Sequence, residues 1–233
     1  MPIELLKIPK PIRYSEGLEV QRAQGAPLEL GTERIAKLIL LQHTPVFTLG
    51  RKTGRDHLLC SAQELAARTG AEVLETDRGG SVTFHAPGQL TAYLLLNLRV
   101  WNLTIHKHLD NLEQVAIQTL ARFGIAGRRE PRMTGVWVAK SGDTIPNSRE
   151  LGSCPPISSE KICAIGVSAR RWVSYHGLSL NVDLDLGPFF EVVPCGLAGK
   201  GVTSMARVLG RPVSMPAVEE AIHAAFGEVY GPY

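Results

Sequence analysis

The chain has 233 residues, of which 44% are hydrophobic and 20% are charged, and its formal net charge is +3. This length and apolar content predict one globular domain over residues 1–233 and exclude a disordered chain. The basic residues are too scattered for a nucleic-acid-binding protein, no apolar stretch is long enough for a membrane helix, and the amino end does not resemble a secretion signal, so we expect a cytoplasmic protein.

The first half of the chain predicts a sheet. Residues 90–98 are apolar nearly throughout, which is typical of a strand that is covered on both faces. Ser61, with Glu64 three positions later and Gly70 beyond the end, predicts a short capped helix. The stretches that predict strands or extended segments are residues 38–41, 45–49, 71–76, 81–85 and 90–98.

The second half predicts two longer helices and three more strands. Thr104 is expected to cap a helix that runs to about Phe123, in which apolar residues recur every three or four positions. Ser214 with Pro216 predicts a capped start of a carboxy-terminal helix. The strands are expected at residues 135–139, 161–169 and 173–184. Because strands and helices do not alternate regularly, the fold class is predicted to be α+β, with a mixed sheet and helices around it.

The stretch from residue 141 to 160 is rich in Ser, Pro, Gly and Asn and lacks apolar periodicity. Such a composition predicts an exposed loop without a fixed conformation.

One of the four cysteines is a candidate nucleophile. Cys195 lies in Pro194-Cys195-Gly196 after an apolar run, which predicts an exposed and well-oriented thiol, and a thiolate suits acyl transfer because it attacks a thioester and leaves again as one. Cys60 and Cys163 have apolar neighbours and are expected in the core, whereas Cys154 lies in the polar loop.

A thiolate needs a neighbouring base or cation, and three residues are candidates. Lys161 opens an apolar strand, where a packed amine loses its proton more readily than an exposed one. His85 and His176 are equally reasonable on chemical grounds. Spacing along the chain does not choose among the three.

Other motifs exclude several site types. Arg78-Gly79-Gly80 could bring a guanidinium and backbone amides close to a substrate, or it could be a tight hairpin. No nucleotide-binding glycine motif and no G-x-S-x-G motif is present. His106 and His108 would point to different sides of their helix, so we expect no metal site and no cofactor.

Five blocks in order give the chain a close resemblance to the lipoyl(octanoyl) transferases. They are residues 78–89, 135–138, 161–166, 176–181 and 194–196, and the segments at 50–51 and 202–205 are similar as well. Ala86 stands where the family commonly has glycine, and the 141–160 stretch is longer than usual.

The resemblance implies a fold like the catalytic domain of biotin and lipoate protein ligases. It also selects Cys195 as the residue that holds the acyl group and Lys161 as the base that activates it. The substrate-binding residues that the resemblance implies are Arg78, Gly79, Gly80, Ser81, Val82, Thr83, Phe84, His85, Ala164, Ile165, Gly166, His176, Gly177, Leu178 and Ser179.

The reaction that the resemblance implies is octanoyl transfer from octanoyl-acyl carrier protein to a lysine of a lipoyl domain, the first step of endogenous protein lipoylation. The expected acceptors are the lipoyl domains of 2-oxoacid dehydrogenase complexes and the glycine cleavage H protein, and the enzyme is expected to be a monomer. Two alternatives stay open: an ATP-dependent lipoate or biotin protein ligase, and a non-catalytic module that binds acyl chains or lipoyl domains.

Overall fold

The computed structural model describes residues 3–53, 58–140, 159–192 and 201–231. A large sheet lies at its centre. In spatial order its strands are β1 (Ile3–Lys7), β2 (Ala36–Leu41), β6 (Gln89–Leu96), β10 (Val173–Asn181), β9 (Ser159–Arg170), β8 (Met133–Ala139) and β7 (Arg128–Glu130), and β11 (Gly201–Val202) also pairs with β9. β1 is parallel to β2 and β11 to β9, whereas the other neighbours are antiparallel. The expected mixed sheet is confirmed.

A second, three-stranded sheet contains β4 (Glu72–Glu75), β3 (Val46–Leu49) and β5 (Val82–His85), in that spatial order. Its core is aromatic: the rings of Phe47 and Phe84 have centroids 4.8 Å apart, and Phe189 meets Phe84 edge-on at 5.7 Å. Phe189 belongs to a 3-10 helix (Gly187–Glu191). Aromatic packing of this kind adds to the hydrophobic stabilisation of the small sheet.

Helices cover both faces of the large sheet. The helices are α1 (Tyr14–Leu30), α2 (Ala62–Thr69), α3 (Ile105–Ala121), α4 (Met205–Leu209) and α5 (Met215–Tyr230). In β6, Leu94 packs into the core beneath α3 and α5, whereas Tyr93 and Leu95 pack on the opposite side with α1. All eight residues of β6 are buried, which confirms the prediction that this strand is covered on both faces.

The predicted caps of two helices are confirmed. The Ser61 hydroxyl accepts from the Glu64 amide at 3.2 Å while the Glu64 carboxylate accepts from the Ser61 amide at 2.9 Å. The Thr104 hydroxyl accepts from the backbone amide of Lys107 at 3.1 Å. α5 begins where predicted, but the side chain of Ser214 makes no capping hydrogen bond.

Helix α1 was not predicted, because Gly17, Gly25 and Pro27 all lower its helix propensity. The structure explains the glycines. A Cβ at Gly17 would lie 2.7 Å from the His43 ring, and a Cβ at Gly25 would lie 2.7 Å from the Tyr175 hydroxyl. Both glycines therefore allow the helix to approach the sheet closely, and tertiary packing outweighs local propensity here.

Two predicted boundaries change. Ser159 and Glu160 belong to β9, where they pair with Ala139 and Val138, so the prediction of an exposed loop over 141–160 is wrong at these two positions; residues 141–158 lie outside the described residues. Strand β10 ends at Asn181 and not at 184, because the next two amides turn to donate to the Gly88 carbonyl. Within the described ranges, none of the helices combines the length and apolar character that crossing a bilayer requires.

Candidate active site

A cavity of about 360 Å³ lies between the small sheet and the α1 face of the large sheet. It brings together residues from three of the predicted blocks, although these blocks are far apart in the sequence. The predicted residues that line it are Arg78, Gly80, Ser81, Val82, Thr83, His85, Lys161, Ala164, Ile165, Gly166, His176, Gly177 and Ser179.

Three of the predicted substrate-binding residues do not line this cavity. Phe84 is turned into the aromatic core of the small sheet, and Leu178 packs into the core beneath α3 and α5. Gly79 supports the wall instead, because its amide donates to the Val167 carbonyl at 2.9 Å. Cys195 lies outside the described residues.

Lys161 reaches the cavity through an irregularity in β9. Its partner across the ladder is Trp137, and the partner of Cys163 is the adjacent Val136, so Ile162 is an extra residue and forms a β-bulge. Because adjacent residues of β8 point to opposite faces, the bulge sends Lys161 and Cys163 to opposite faces as well.

The Lys161 ammonium group has defined neighbours on the cavity side. Its Nζ donates to the Thr134 carbonyl at 3.2 Å and lies 4.6 Å from the centroid of the Trp137 ring. The residue as a whole is only 8% exposed. The strand, the aromatic ring and the carbonyl together hold this amine at the cavity wall.

Cys163 confirms the expectation of a core cysteine. Its side chain is fully buried beneath the helices α3 and α5, and burial raises the pKa of its thiol to about 12 although the charge of Lys161 opposes this shift. Cys60 is partly buried beside the core of the small sheet. The environment of Cys163 does not favour a nucleophilic thiolate.

Arg78 connects the small sheet to the cavity wall. Its guanidinium donates to the Thr48 carbonyl at 2.5 Å, to the Thr48 hydroxyl at 2.8 and 3.1 Å, and to the Gly79 carbonyl at 3.0 Å. The segment that contains Gly79 and Gly80, called the glycine segment below, lies very close to β9. A Cβ on Gly166 would lie 2.7 Å from the Gly79 carbonyl oxygen. This close contact explains why residue 166 is a glycine.

His85 is held in one tautomer by its hydrogen bonds. The Gln89 side-chain amide donates to the Phe84 carbonyl and to Asn181, so its oxygen accepts from His85 Nδ1 at 2.7 Å. The other ring nitrogen, Nε2, lies 3.3 Å from the Thr48 hydroxyl and accepts from it. Burial is the main reason that the pKa of His85 lies well below its usual value, so the ring is neutral at pH 7.

His176 has a left-handed backbone, with φ +63° in the interior of β10. Its strand partner Val167 packs beneath α3 and α5, and the unusual backbone turns the His176 ring to the opposite face instead. There Nε2 lies 2.8 Å from Asp77 Oδ1, and Nδ1 lies 3.3 Å from the Tyr14 hydroxyl. A non-glycine residue in this region costs roughly 1–3 kcal/mol, and these hydrogen bonds offset that cost.

Two further pairs complete this end of the cavity. His43 Nδ1 donates to the Ile12 carbonyl at 3.2 Å, so Nε2 accepts from the Tyr93 hydroxyl at 2.6 Å. Burial lowers the pKa of His43 to about 4. The hydrogen bond from His176 holds the pKa of Asp77 at about 2.

The sequence did not identify six residues that line the cavity. Tyr14 and Tyr93 come from α1 and β6, and no local motif marks them. Lys52 follows the similar segment at 50–51, and Arg132 to Thr134 precede the 135–138 block, so proximity to these blocks was the available signal. The six are Tyr14, Lys52, Tyr93, Arg132, Met133 and Thr134.

The side chains at this site do not form a metal centre. In the part of the chain that the structure describes, no three His, Cys, Asp or Glu side chains are grouped so that they could hold a metal ion. His106 is exposed and His108 is buried, as their different helix faces predicted.

Comparison with known proteins identifies the family. Residues 21–227 match the family model described as the lipoyl protein ligase A/B catalytic domain. The octanoyltransferase of Rubrobacter xylanophilus is 40% identical over 230 residues, which are 98% of this chain and 94% of that protein. The chain belongs to this family. The resemblance to the lipoyl(octanoyl) transferases is thereby confirmed, and the chain is an acyltransferase.

Two solved structures share the fold at low sequence identity. The bipartite lipoate protein ligase of Thermoplasma acidophilum superposes with a TM-score of 0.74 at 15% identity, over 99% of this chain and 84% of that one. The biotin protein ligase of Aquifex aeolicus superposes with a TM-score of 0.53 at 11% identity, over 98% and 70%. The expected likeness to biotin and lipoate ligase catalytic domains is confirmed at the level of fold.

Proposed function

We propose that this member of the lipoyl protein ligase A/B catalytic-domain family transfers an octanoyl group from octanoyl-acyl carrier protein to a lysine of a lipoyl domain. Cys195 carries the acyl group as a thioester, and Lys161 is the base. The observation that supports this proposal most directly is the position of the Lys161 amine, which a β-bulge turns to the wall of a large cavity. The identity to octanoyltransferases over nearly the whole chain supports the same reaction.

The residues that flank Cys195 in the sequence support its pairing with Lys161. On one side, Val202 pairs directly with Lys161 in the sheet. On the other side, Phe189 shares with Lys161 a small void of about 20 Å³, which Val202 also lines. Described residues on both sides of Cys195 in the sequence therefore lie near this amine, and an extended chain of a few residues is long enough to bring the thiol to it.

The first half-reaction acylates the enzyme. In its uncharged form the Lys161 amine takes the proton of the Cys195 thiol, and the thiolate attacks the carbonyl carbon of the octanoyl thioester. As the new carbon–sulfur bond of the enzyme thioester forms, the bond to the donor sulfur breaks. The departing thiolate receives the proton from Lys161, so the free carrier leaves as a thiol.

The second half-reaction transfers the chain to the acceptor. The neutral amine of a lipoyl-domain lysine attacks the enzyme thioester, an amide bond forms, and the Cys195 thiolate leaves. The amine proton returns to Cys195 through Lys161, which restores the starting state. The two substrates use one site in turn, so ping-pong kinetics are expected.

The walls of the cavity suit an acyl chain. Met133 and Ala164 supply apolar surface, whereas the side chains of Val82 and Ile165 pack into the hydrophobic cores behind the wall. Both ring nitrogens of His85 are already engaged in hydrogen bonds, so we assign His85 a positioning role and leave the base role to Lys161. Arg78 and Gly79 keep the wall in place.

The partners follow from the same proposal. The acceptors are lipoyl domains of 2-oxoacid dehydrogenase complexes and the glycine cleavage H protein, and the enzyme works as a cytoplasmic monomer without a cofactor. The archaeal neighbour of similar fold belongs to a lipoylation system and was described with its E2 lipoyl domain, which supports an acceptor of this class.

Intact-mass measurement after incubation with octanoyl-acyl carrier protein tests the proposal. Wild-type enzyme should gain one octanoyl group, peptide mapping should assign it to Cys195, and Cys195→Ser should gain none. Cys163→Ala is the matched control and should be acylated like the wild type, because that thiol is buried.

Lipoyl-domain acylation that needs free octanoate and ATP, and that persists in Cys195→Ser, would instead identify an ATP-dependent ligase. Binding of the chain without any adduct would identify a non-catalytic module.

A further inference from the structure

The cavity is lined by positive charge that an octanoyl chain does not need. Among the described residues that line it, four have basic side chains and none is an aspartate or a glutamate. A hydrocarbon chain gains nothing from neighbouring cations, because its binding depends on apolar burial. The four cationic residues are Lys52, Arg78, Arg132 and Lys161.

Two of the four cations already have structural partners. The Arg78 guanidinium donates to Thr48 and to the Gly79 carbonyl, which joins the small sheet to the glycine segment. Lys161 donates to the Thr134 carbonyl and lies over the Trp137 ring. Arg78 holds the wall in place, and Lys161 carries out the proposed proton transfer.

Lys52 and Arg132 are different. Both are exposed at the rim of the cavity, and within the described ranges neither forms an ion pair with a carboxylate. Their backbones are nevertheless fixed. The Lys52 amide donates to the Gly80 carbonyl at 3.0 Å, and Arg132 occupies the left-handed turn between β7 and β8 with φ +63°.

The position of these two side chains relates them to the reacting groups. Arg132 lies two residues before Thr134, whose carbonyl holds the Lys161 amine, and Lys52 is hydrogen-bonded to the glycine segment that forms the opposite wall. An anion at the rim would therefore lie outside the acyl-binding part of the cavity while its attached chain extends inward.

We propose that Lys52 and Arg132 form an anion subsite that binds the phosphate ester in the linker of the acyl donor. This inference rests on the proposed function. A carrier protein presents its acyl chain on a pantetheine linker that a phosphodiester joins to the protein, so donor and anion enter together. Guanidinium and ammonium groups are the side chains that recognise phosphate.

The subsite distinguishes the two substrates. The acceptor is a lysine side chain and brings no phosphate, so Lys52 and Arg132 act in enzyme acylation and not in transfer to the lipoyl domain. Substitution of either residue should raise the KM for a phosphate-bearing donor without changing kcat, because the contact is equal in the ground state and the transition state.

Two small donors test the subsite without a carrier protein: S-octanoylpantetheine and its phosphate ester. Acylation of Cys195 is followed by mass at increasing concentrations of each. For the wild type we expect a KM roughly fivefold to tenfold lower for the phosphate ester, a difference that partly exposed ion pairs can supply. In the double variant Lys52→Gln, Arg132→Gln this ratio should fall to about 1, while S-octanoylpantetheine reacts as before.

Matched controls are Lys107→Gln and Arg211→Gln, which remove exposed cations that do not line the cavity. Both should keep the wild-type preference for the phosphate ester. The phosphate preference should also weaken as salt is added, because the side chains at the rim are exposed.

Equal KM values for the two donors in the wild type, with Cys195 acylated by both, would overturn the anion subsite and leave the proposed function intact. A preference that survives in the double variant would overturn the assignment to Lys52 and Arg132. If the variants slow acylation only by the complete octanoyl carrier protein and not by the phosphate ester, the cations contact carboxylates of the carrier. The phosphate subsite would then be wrong. Absence of any Cys195 adduct would contradict the proposed function itself.

Discussion

The two ends of the cavity are built by different exceptions to strand geometry. At one end, a β-bulge at Ile162 turns Lys161 to the cavity wall. At the other end, a left-handed backbone turns His176 to the same face. Lys161 and the strand partner of His176, Val167, are six residues apart on β9, which corresponds to roughly 20 Å. In each case a polar side chain lies on the cavity face of the sheet, whereas regular alternation would bury it on the opposite face.

The ends differ in how completely their polar groups are satisfied. Around His176, ring nitrogens and hydroxyls bond to one another, and the buried rings of His43 and His85 are neutral at pH 7. Around Lys161 the wall is cationic and adjoins solvent. The Lys161 end therefore presents its polar groups to the substrate, whereas the His176 end fixes the shape of the cavity.

The largest effect is expected at the Lys161 end. Lys161→Met keeps the length of the side chain and removes the base, so acylation of Cys195 should slow by about 10²–10⁴-fold while the protein stays folded. Mass-detected acylation rates measure this effect, with the urea-unfolding midpoint as a check on the fold. A rate close to that of the wild type would transfer the base role to His85 or His176.

The next effect is the pH dependence of stability that the buried histidines produce. In the unfolded chain the pKa of a histidine is near 6.5, whereas in the folded protein burial lowers the pKa of His43 to about 4. As pH falls from about 6.5 to 4, only the unfolded state takes up this proton, so the free energy of unfolding decreases, by about 3 kcal/mol for one such histidine.

Urea unfolding at pH 7 and pH 5 tests this linkage. In His43→Leu the difference between the two free energies of unfolding should shrink by about 2 kcal/mol. His108→Leu is the matched control outside the cavity, because burial lowers the pKa of His108 to about 4 as well. It should lose a similar part of the pH dependence but keep full acylation activity. If the difference between the free energies of unfolding at pH 7 and pH 5 is the same in His43→Leu as in the wild type, then His43 is not a buried, neutral histidine in the folded protein.

The smallest effect is expected for Asp77, which is hydrogen-bonded to His176 but whose side chain is 63% exposed. Its folded pKa of about 2 lies below the unfolded value, so its stabilisation is present above about pH 4 and is lost as pH falls toward 2. Because solvent screens an exposed pair, Asp77→Asn should cost less than about 1 kcal/mol at pH 7. A loss above about 2 kcal/mol in urea unfolding would show that this end depends on a buried charge.

Local signals predicted the elements that depend on local chemistry. The cap of α2 at Ser61, the length of α3 and the two-sided burial of β6 are readable because capping and periodicity involve neighbours in the sequence. Helix α1 escaped prediction because its glycines make sense only against His43 and Tyr175, which belong to distant strands.

The site was predictable in its residue blocks but not in its geometry. Simple alternation would place Lys161 and Cys163 on one face, since they are two positions apart, and only the pairing with β8 reveals the extra residue between them. Tyr14 and Tyr93 could not be assigned to the cavity for the same reason. Their place depends on contacts between α1, β6 and β10 that no segment contains by itself.

The extra residue at Ile162 determines how this part of β9 responds to substitution and to deletion. Ile162→Val should cost about 1 kcal/mol, the usual loss for one buried methyl group. Deleting Ile162 would instead remove the extra residue and leave Lys161 opposite Trp137 and Cys163 opposite Val136 in a regular ladder, so the amine and the sulfur would keep their faces. A one-residue deletion at this point thus preserves the chemistry of the wall, whereas an exchange of its two faces would need a shift in the pairing with β8. The register with β8 is therefore the feature to preserve in any redesign of this enzyme.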